Sequence, residues 1–327
     1  MPSATTHPAT PFVLVTGGAG FIGSHLVGRL LQNGKSVVVI DDFSTGSRQN
    51  LQPYEANPRL RVISSRISGC AELPQLVSQA EFVYHLAATV GVDLVVKSAL
   101  HVLEASFNET QCLLQAAARS GTPILFTSTS EVYGKSAKPA FDENDDLLIG
   151  PPGQSRWSYA CSKLTDEFLA LAHARENNLP VTIVRLFNTV GPRQTGRYGM
   201  VLPRFIEAAK AGRPLRVFGD GGQSRCFCFV LDVVEALVRL QNCPAARGEI
   251  FNIGSTEEVS ILELARLVTN TLASPSAIEL IPYDQAYAPG FDDMRRRKPL
   301  VEKLERFVGF KPQTSLRDII RLTAAQS

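Results

Sequence analysis

Short apolar runs alternate with longer helical patterns along most of the chain. Phe12 to Thr16 (FVLVT) is a continuous apolar run of strand length. A helical pattern follows to about Asn33, and Gly34 stands where a helix-stopping glycine belongs. Further runs at 36–40, 60–64, 81–85, 123–127 and 181–186 read as strands, and 97–119 reads as a long helix. A second helical run starts at Tyr159 and extends through Leu171 to about Ala174. Strands that alternate with helices in this way predict a parallel, doubly wound α/β sheet with helices on both faces. After Asn188 the rhythm changes. A turn-rich loop (FNTVGPR, 187–193) leads to a helix at 201–211, a strand at 215–218, the turn Gly219-Asp-Gly-Gly222, a strand at 225–230 and an amphipathic helix at 261–272. That part reads as a smaller α+β lobe. No repeat or low-complexity segment is visible.

The first turn carries the first chemistry. It reads Gly17-Gly-Ala-Gly20-Phe-Ile-Gly23, and the second strand ends in Asp41-Asp42. Strand, glycine turn, helix, strand and acid, in that order, match a dinucleotide-binding unit, here with G-x-x-G-x-x-G spacing. The glycines let the backbone approach a pyrophosphate, and the helix N-terminus supplies amide donors. An acid after the second strand can hold a ribose diol and repels a 2′-phosphate, which favours NAD over NADP. A plain tight turn is the alternative. Leu86-Ala87-Ala88 follow the fourth strand, small residues past which a cofactor can run. Ligands of such sheets sit at the carboxyl ends of strands, where Asp41, Ala87, Thr129 and Asn188 all fall. The expected organisation is therefore a frayed segment 1–11, a nucleotide-binding domain 12–187 with 232–252 packing back on it, and a mainly substrate-binding lobe 188–327.

Composition narrows the class. The chain has 327 residues, 44% hydrophobic and 20% charged, with a net charge of +2. That balance offers no bulk attraction to nucleic acid or an anionic membrane. No apolar run has membrane-spanning length, and residues 1–11 lack a secretory signal pattern. Six cysteines are scattered, which reads as reduced thiols in a cytoplasmic protein. Cys226-x-Cys228 lacks the second ligand pair a metal needs, so no metal is expected.

Tyr159 and Lys163 are four apart in the second helical run, on one face and one turn apart. An ammonium beside a phenol lowers the phenol pKa from about 10, and such a phenol can take a proton from a sugar hydroxyl. A surface pair of no chemical consequence is the ordinary alternative.

Taken together, GGAGFIG, STSEVYG, YACSK, FNTVGPR and GDGGQSRCF make the chain resemble the extended short-chain dehydrogenase/reductase family from Val13 to about Leu322. The resemblance implies a Rossmann fold and an NAD-dependent enzyme acting on a nucleotide-diphosphate sugar, a UDP-sugar foremost. It implies that Gly17, Gly20, Phe21, Ile22, Gly23, Asp41, Asp42, Leu86, Ala87 and Ala88 bind the cofactor. Tyr159 is then the base for the sugar 4-hydroxyl, Lys163 binds the nicotinamide ribose and tunes Tyr159, and Thr129 hydrogen-bonds the same sugar oxygen. Asn188, Arg193 and Arg225 match substrate-binding positions, and a guanidinium suits a diphosphate. For Arg225 a surface salt bridge is the alternative. Two departures stand out. Ser65-Arg66-Ile67-Ser68 lacks the acid that the family often places against adenine, and Glu109 follows Asn108 where the family often has glycine.

The 4-keto sugar such an enzyme forms branches toward a 4-epimer, a 4-keto-6-deoxy sugar or, from a uronate, loss of carbon dioxide. Ser130-Glu131 is similar to the mannose-type dehydratases and the UDP-glucuronate decarboxylases alike. Arg156-Trp157-Ser-Tyr159-Ala-Cys161 is similar to the UDP-apiose/xylose synthases and the bacterial decarboxylase of polymyxin resistance, and Arg296-Arg297-Lys298-Pro299 to decarboxylases. The resemblance leads with UDP-glucuronate decarboxylase, with 4-epimerase next and 4,6-dehydratase third. On that resemblance Ser130 and Glu131 orient the sugar and help protonate carbon 5, and Arg297 faces the diphosphate or the carboxylate. Glu131 as a plain hydrogen-bond acceptor, and 295–298 as a solvated basic run, are the alternatives. Family members usually form homodimers through the two long helices. Ala116, Ala117 and Leu169 suit such a face or, equally, an ordinary core.

Overall fold

The computed structural model describes residues 11–88, 99–195, 200–282, 294 and 296–325. Lys97 and Arg295, the expected first residues of a helix and of a basic run, lie outside the described residues. The described strands, in chain order, are β1 (Phe12–Thr16), β2 (Ser36–Asp41), β3 (Leu60–Ser64), β4 (Ala80–His85), β5 (Ile124–Thr129), β6 (Val181–Leu186), β7 (Thr189–Val190), β8 (Leu215–Phe218), β9 (Ser224–Cys226), β10 (Cys228–Phe229), β11 (Ile250–Ile253), β12 (Glu258–Ser260) and β13 (Ile278–Ile281). Seven of them form one parallel sheet in the order β11-β6-β5-β4-β1-β2-β3, flanked by helices. This is the doubly wound α/β architecture expected above.

Residues up to 88, 108–126 and 169–181 make one compact unit, and 89–107, 127–168 and 182–327 make a second. The units interleave along the chain. The reason lies in the winding: neighbours in a doubly wound sheet are not neighbours in sequence.

In the first unit, β1 is buried along its whole length and pairs with β2 on one side and β4 on the other. Helix α1 (Phe21–Gln32) buries Leu26, Val27, Leu30 and Leu31, and the chain leaves it through Gly34 at φ +80°. In the second unit, β11 pairs with β6, and an apolar cluster of Val132, Tyr133, Phe141, Trp157, Ala160, Phe187 and Met294 forms a local core. Burying each such large side chain stabilises the unit by about 1.5–3 kcal/mol.

The single strand expected at 225–230 is instead two. Cys226 in β9 pairs antiparallel with Glu258 of β12, whereas Cys228 in β10 pairs parallel with Thr189 of β7. The ladder changes partner across Phe227, and Val230 already opens a helix (Val230–Gln241). An apolar run does not reveal such a change of partner, because every residue of it stays buried.

Candidate active site

The first unit holds the expected cofactor residues. Gly17 has φ +73°, and a Cβ on it would lie 2.6 Å from the Ala87 nitrogen. Gly23 sits in α1 with its would-be Cβ only 2.1 Å from the Gly17 carbonyl. Any side chain at either position would break the turn, because the backbone of Ala87 packs against Gly17 and that of Gly17 against Gly23. Gly20 caps α1 without a side-chain bond, and no acid lies in the first turn. The amides around Phe21 and Ile22 thus open an N-terminus that is electropositive by its dipole alone.

The two acids after β2 part company. Asp41 is buried, with one carboxylate oxygen accepting from the Ala19 N–H at 2.8 Å and the other from the Phe43 N–H at 2.8 Å. Its carboxyl is raised above the usual range by burial, against the pull of those two amides. Each oxygen retains a free lone pair for a ribose hydroxyl. Asp42 is more open. It accepts from the Ser44 N–H at 2.9 Å and faces the Arg66 guanidinium at 3.5 Å, and its carboxyl lies below the usual range. Asp41 is thus the acid bound to the glycine turn. Beneath the same turn, buried His85 reaches Thr16 at 2.8 Å and Thr110 at 3.2 Å, pinning the ends of β1 and β4 where Leu86, Ala87 and Ala88 begin.

The two departures noted in the sequence meet in space. Glu109 accepts from the Ser68 N–H at 2.9 Å and from the Ser68 hydroxyl at 2.5 Å. The segment that lacks an acid after β3 and the acid beside Asn108 are joined by these bonds, which no reading of separate motifs could pair.

The second unit holds the expected catalytic residues. Helix α4 in chain order (Trp157–Glu176) carries Tyr159 and Lys163, and Trp157 at its first turn is anchored in the local core. Thr129 ends β5 and its hydroxyl accepts from the Glu131 N–H at 3.2 Å, starting a tight 3₁₀ turn at Ser130–Tyr133. That turn buries Ser130, Val132 and Tyr133 and leaves Glu131 partly open. Thr129 acts on the Tyr159 phenol, drawing its pKa down. Arg297 is brought to the same place by the pairing of 298–300 with Phe141, whose N–H donates to the Lys298 carbonyl at 2.8 Å.

Glu131 is clasped by two arginines. Arg297 forms a short ion pair with one carboxylate oxygen, and Arg156 lies 3.4 Å from the other. Side-chain exposures of 16% for Glu131, 12% for Arg297 and 10% for Arg156 place the cluster largely out of water. Two guanidinium groups thus face one carboxylate in this cluster. A solvated basic run is therefore not what Arg297 belongs to, although Arg296 is half-exposed and pairs with Glu258 at 2.7 Å.

The phenol does not behave as the spacing alone suggested. Burial raises the Tyr159 hydroxyl above the ordinary tyrosine value, and the Glu131 charge raises it further, outweighing Thr129 and Arg297. Lys163 is buried, and desolvation holds its ammonium below the ordinary lysine value against the pull of Asp166 and Glu167. The Lys163 ammonium stands 3.8 Å from Asp166 on the next turn. In the free protein, burial therefore decides both groups, and the simple expectation of a lowered phenol is corrected.

Behind the site lies a buried ion network. Glu167 accepts from Arg185 at 2.8 Å and from Ser128, the residue before Thr129, through a short bond. Arg185 stacks over Tyr133 at 4.9 Å, and the Tyr133 hydroxyl donates to Asn252 at 2.7 Å. Sequence reading missed this network and the role of Arg156, although Arg156 stands three residues before Tyr159 and Glu167 four after Lys163, the spacing of neighbours on a helix.

The remaining substrate candidates cluster less tightly. Asn188 adopts φ +27° and donates its side-chain N–H to the Cys226 carbonyl at 2.9 Å, holding the loop after β6 to β9. Arg225 is buried, which removes the surface-salt-bridge alternative; it donates to the Ser224 carbonyl at 2.8 Å. Arg193 has φ +68° in the same turn-rich loop. Among the described residues no group of His, Cys, Asp or Glu could hold a metal ion.

The chain resembles known proteins over nearly its whole length. It is 42% identical to the UDP-N-acetyl-alpha-D-glucosaminuronate decarboxylase of Bacillus cytotoxicus, over 92% of this chain and 93% of that one. It is 36% identical to UDP-glucuronic acid decarboxylase 2 of Arabidopsis thaliana, over 93% of this chain and 65% of that longer one. Its fold superposes with a TM-score of 0.86, at 29% identity, on a UDP-glucuronic acid 4-epimerase from Bacillus cereus in complex with UDP-glucuronic acid and NAD, covering 96% of this chain and 98% of that one. The family model for the NAD dependent epimerase/dehydratase family matches residues 13–254. With the glycine turn, the buried acid and the Tyr159–Lys163 helix already in place, this chain belongs to the NAD-dependent epimerase/dehydratase family of enzymes.

Proposed function

We propose that the chain decarboxylates a UDP-linked hexuronate, with a 2-acetamido-hexuronate and glucuronate as the two substrates to try first. The observation that carries this reading is the clasp of Arg297 and Arg156 around Glu131. Two largely buried guanidinium groups favour a ligand that brings a carboxylate and disfavour a neutral sugar. The relative 42% identical over 92% of the chain is named for a decarboxylase of such a uronate.

The residues would divide the work as follows. The glycine turn, Asp41 and Lys163 would hold NAD, which when bound supplies a hydride acceptor at carbon 4 and later the hydride that returns there. Tyr159 takes the proton of the 4-hydroxyl, with Thr129 on the same oxygen. The ketone at carbon 4 makes the uronate a β-keto acid. The carbon 5–carbon 6 bond then breaks, carbon dioxide leaves, and the electron pair is held as an enolate across carbons 4 and 5. Glu131 and Ser130 orient the sugar and deliver the proton to carbon 5. Asn188, Arg193 and Arg225 bind the diphosphate.

Incubating the protein and NAD with UDP-N-acetylglucosaminuronate and UDP-glucuronate, followed by mass spectrometry and proton NMR, tests this. A pentose product with carbon dioxide is the expected result. Unchanged mass with an inverted carbon 4 would instead make it a 4-epimerase, the reading favoured by the fold match to the Bacillus cereus enzyme.

We further propose a homodimer. Leu100, Leu103 and Phe107 are exposed at 69%, 37% and 39% along one face of helix α3 (Ala99–Ser120), and Phe168 of α4 is 63% exposed. Apolar side chains at that helical spacing suit a helix bundle with a second copy. Ala116 and Ala117 are buried and belong to the core, so that expectation resolves to ordinary packing. No described helix is long and apolar enough to cross a membrane. Six free cysteines support a reducing, cytoplasmic setting.

A further inference from the structure

Tyr159, Lys163 and Asp166 stand at i, i+4 and i+7 of α4, so three polar groups line one stripe of the helix. The stripe runs into the interior, where Asp166 has no exposed surface and Lys163 is 2% exposed. The Lys163 ammonium is 3.8 Å from the Asp166 carboxylate. The same carboxylate oxygen accepts from the Ser106 hydroxyl of α3 at 2.8 Å. Asp166 is therefore fixed from both sides, by its own helix and by a neighbouring one.

A fully buried ammonium without an anion nearby loses its proton rather than bear the cost of desolvation. Glu167, the other acid acting on Lys163, is already bound to Arg185 and Ser128. Asp166 instead reaches Lys163 and Ser106. The other charged groups at this end of the helix include Glu131 and Arg297, which act on Tyr159, and Arg156, which pairs with Glu131.

We infer that Asp166 is a positioning residue for Lys163, an inward anion that keeps the ammonium charged and, braced by Ser106, sets where it stands relative to Tyr159 and the nicotinamide ribose. This rests on the reading of Tyr159 and Lys163 as the catalytic pair. It gives an apparent excess of buried acid a role: the ammonium has a place to stand whether or not the ribose diol is there.

The test is the Asp166→Asn variant, followed by calorimetric titration with NAD and by the profile of kcat/KM, both from pH 6 to 10. Removing the carboxylate lowers the Lys163 pKa further, so the ammonium is lost at a lower pH. It also removes a negative charge from beside Tyr159, so the phenolate forms at a lower pH. Both limbs of the rate profile should move toward acid by about one pH unit or more. NAD affinity should begin to fall at a correspondingly lower pH, a readout independent of turnover. Asp166→Glu should restore most of the shift. Ser106→Ala, which keeps every charge, should weaken NAD binding without moving the limbs. If Asp166→Asn folds poorly, the latter two variants decide. A uniform loss of rate with unmoved limbs and an unchanged NAD titration would make Asp166 merely structural and overturn the inference. Lys163→Ala separates the two levels: if it leaves NAD affinity and turnover intact, the catalytic-pair reading fails instead.

Discussion

In the first unit the groups that await a ligand are main-chain amides and one buried carboxylate, whereas in the second they are ionised side chains buried among their partners. The glycine turn around Gly17 and Gly23 is held by close packing of backbone on backbone, which any side chain would block. Around Tyr159 the recognition is by charge: Glu131 between Arg156 and Arg297, Lys163 beside Asp166, and Glu167 beside Arg185. Amide dipoles need no counter-ion and are cheap to keep in a folded chain. Buried ions are costly and persist only in matched sets. The comparison teaches where each kind of damage should register. Changes at the glycine turn and Asp41 should be felt as cofactor affinity, and changes at Tyr159, Glu131 and Glu167 as turnover and stability, with Lys163 and Asp166 touching both.

The sharpest way to probe that contrast is Tyr159→Phe, which should lower kcat by about 10³-fold while leaving NAD affinity nearly intact. Titration of the variant with NAD beside its kinetics checks both halves. The wild-type rate should rise from neutral toward alkaline pH, because burial holds the phenol protonated above its ordinary range, and fall again as Lys163, held below its own, loses its proton.

Next in size is Glu167→Ala. Leaving Arg185 buried without its acid should cost about 3–5 kcal/mol of stability, read from denaturant midpoints. A cost near zero would mean that the network is wetter than its burial implies. Glu131→Gln should follow, with turnover reduced about 10²-fold and NAD binding retained. A fully active Glu131→Gln enzyme would count against decarboxylation and favour epimerisation.

Asp41→Ala belongs to the other side of the comparison. Losing a charge-assisted hydrogen bond should weaken NAD by about 1.5–3 kcal/mol, with sugar-nucleotide affinity unchanged. If turnover with saturating NAD collapsed as well, the division between the units would not hold. The smallest effect on activity is expected from Leu103→Glu, which should shift a dimer toward monomer in sedimentation experiments while the rate per chain stays near normal.

Much of this was legible in the chain. The parallel strands β1, β3, β6 and β8 fall at the positions their apolar runs mark; β1 and β6 are buried nearly throughout, and a run that must be buried on both faces has few other ways to satisfy its backbone. The glycine turn and the acid after β2 are equally plain, since their meaning is local. The choice of Asp41 over Asp42 was not legible. It depends on which carboxylate meets the Ala19 N–H across the turn.

The sequence by itself determined the fold class, the NAD-type turn and the family, because these rest on period, spacing and local backbone demands. Only the tertiary structure decided that Arg156 and Arg297 share Glu131, that Glu109 answers Ser68, and that the Tyr159 phenol is raised and not lowered. Ion pairing and desolvation depend on which distant groups are brought together and on how much water remains. Neither quantity exists along a chain until it has folded.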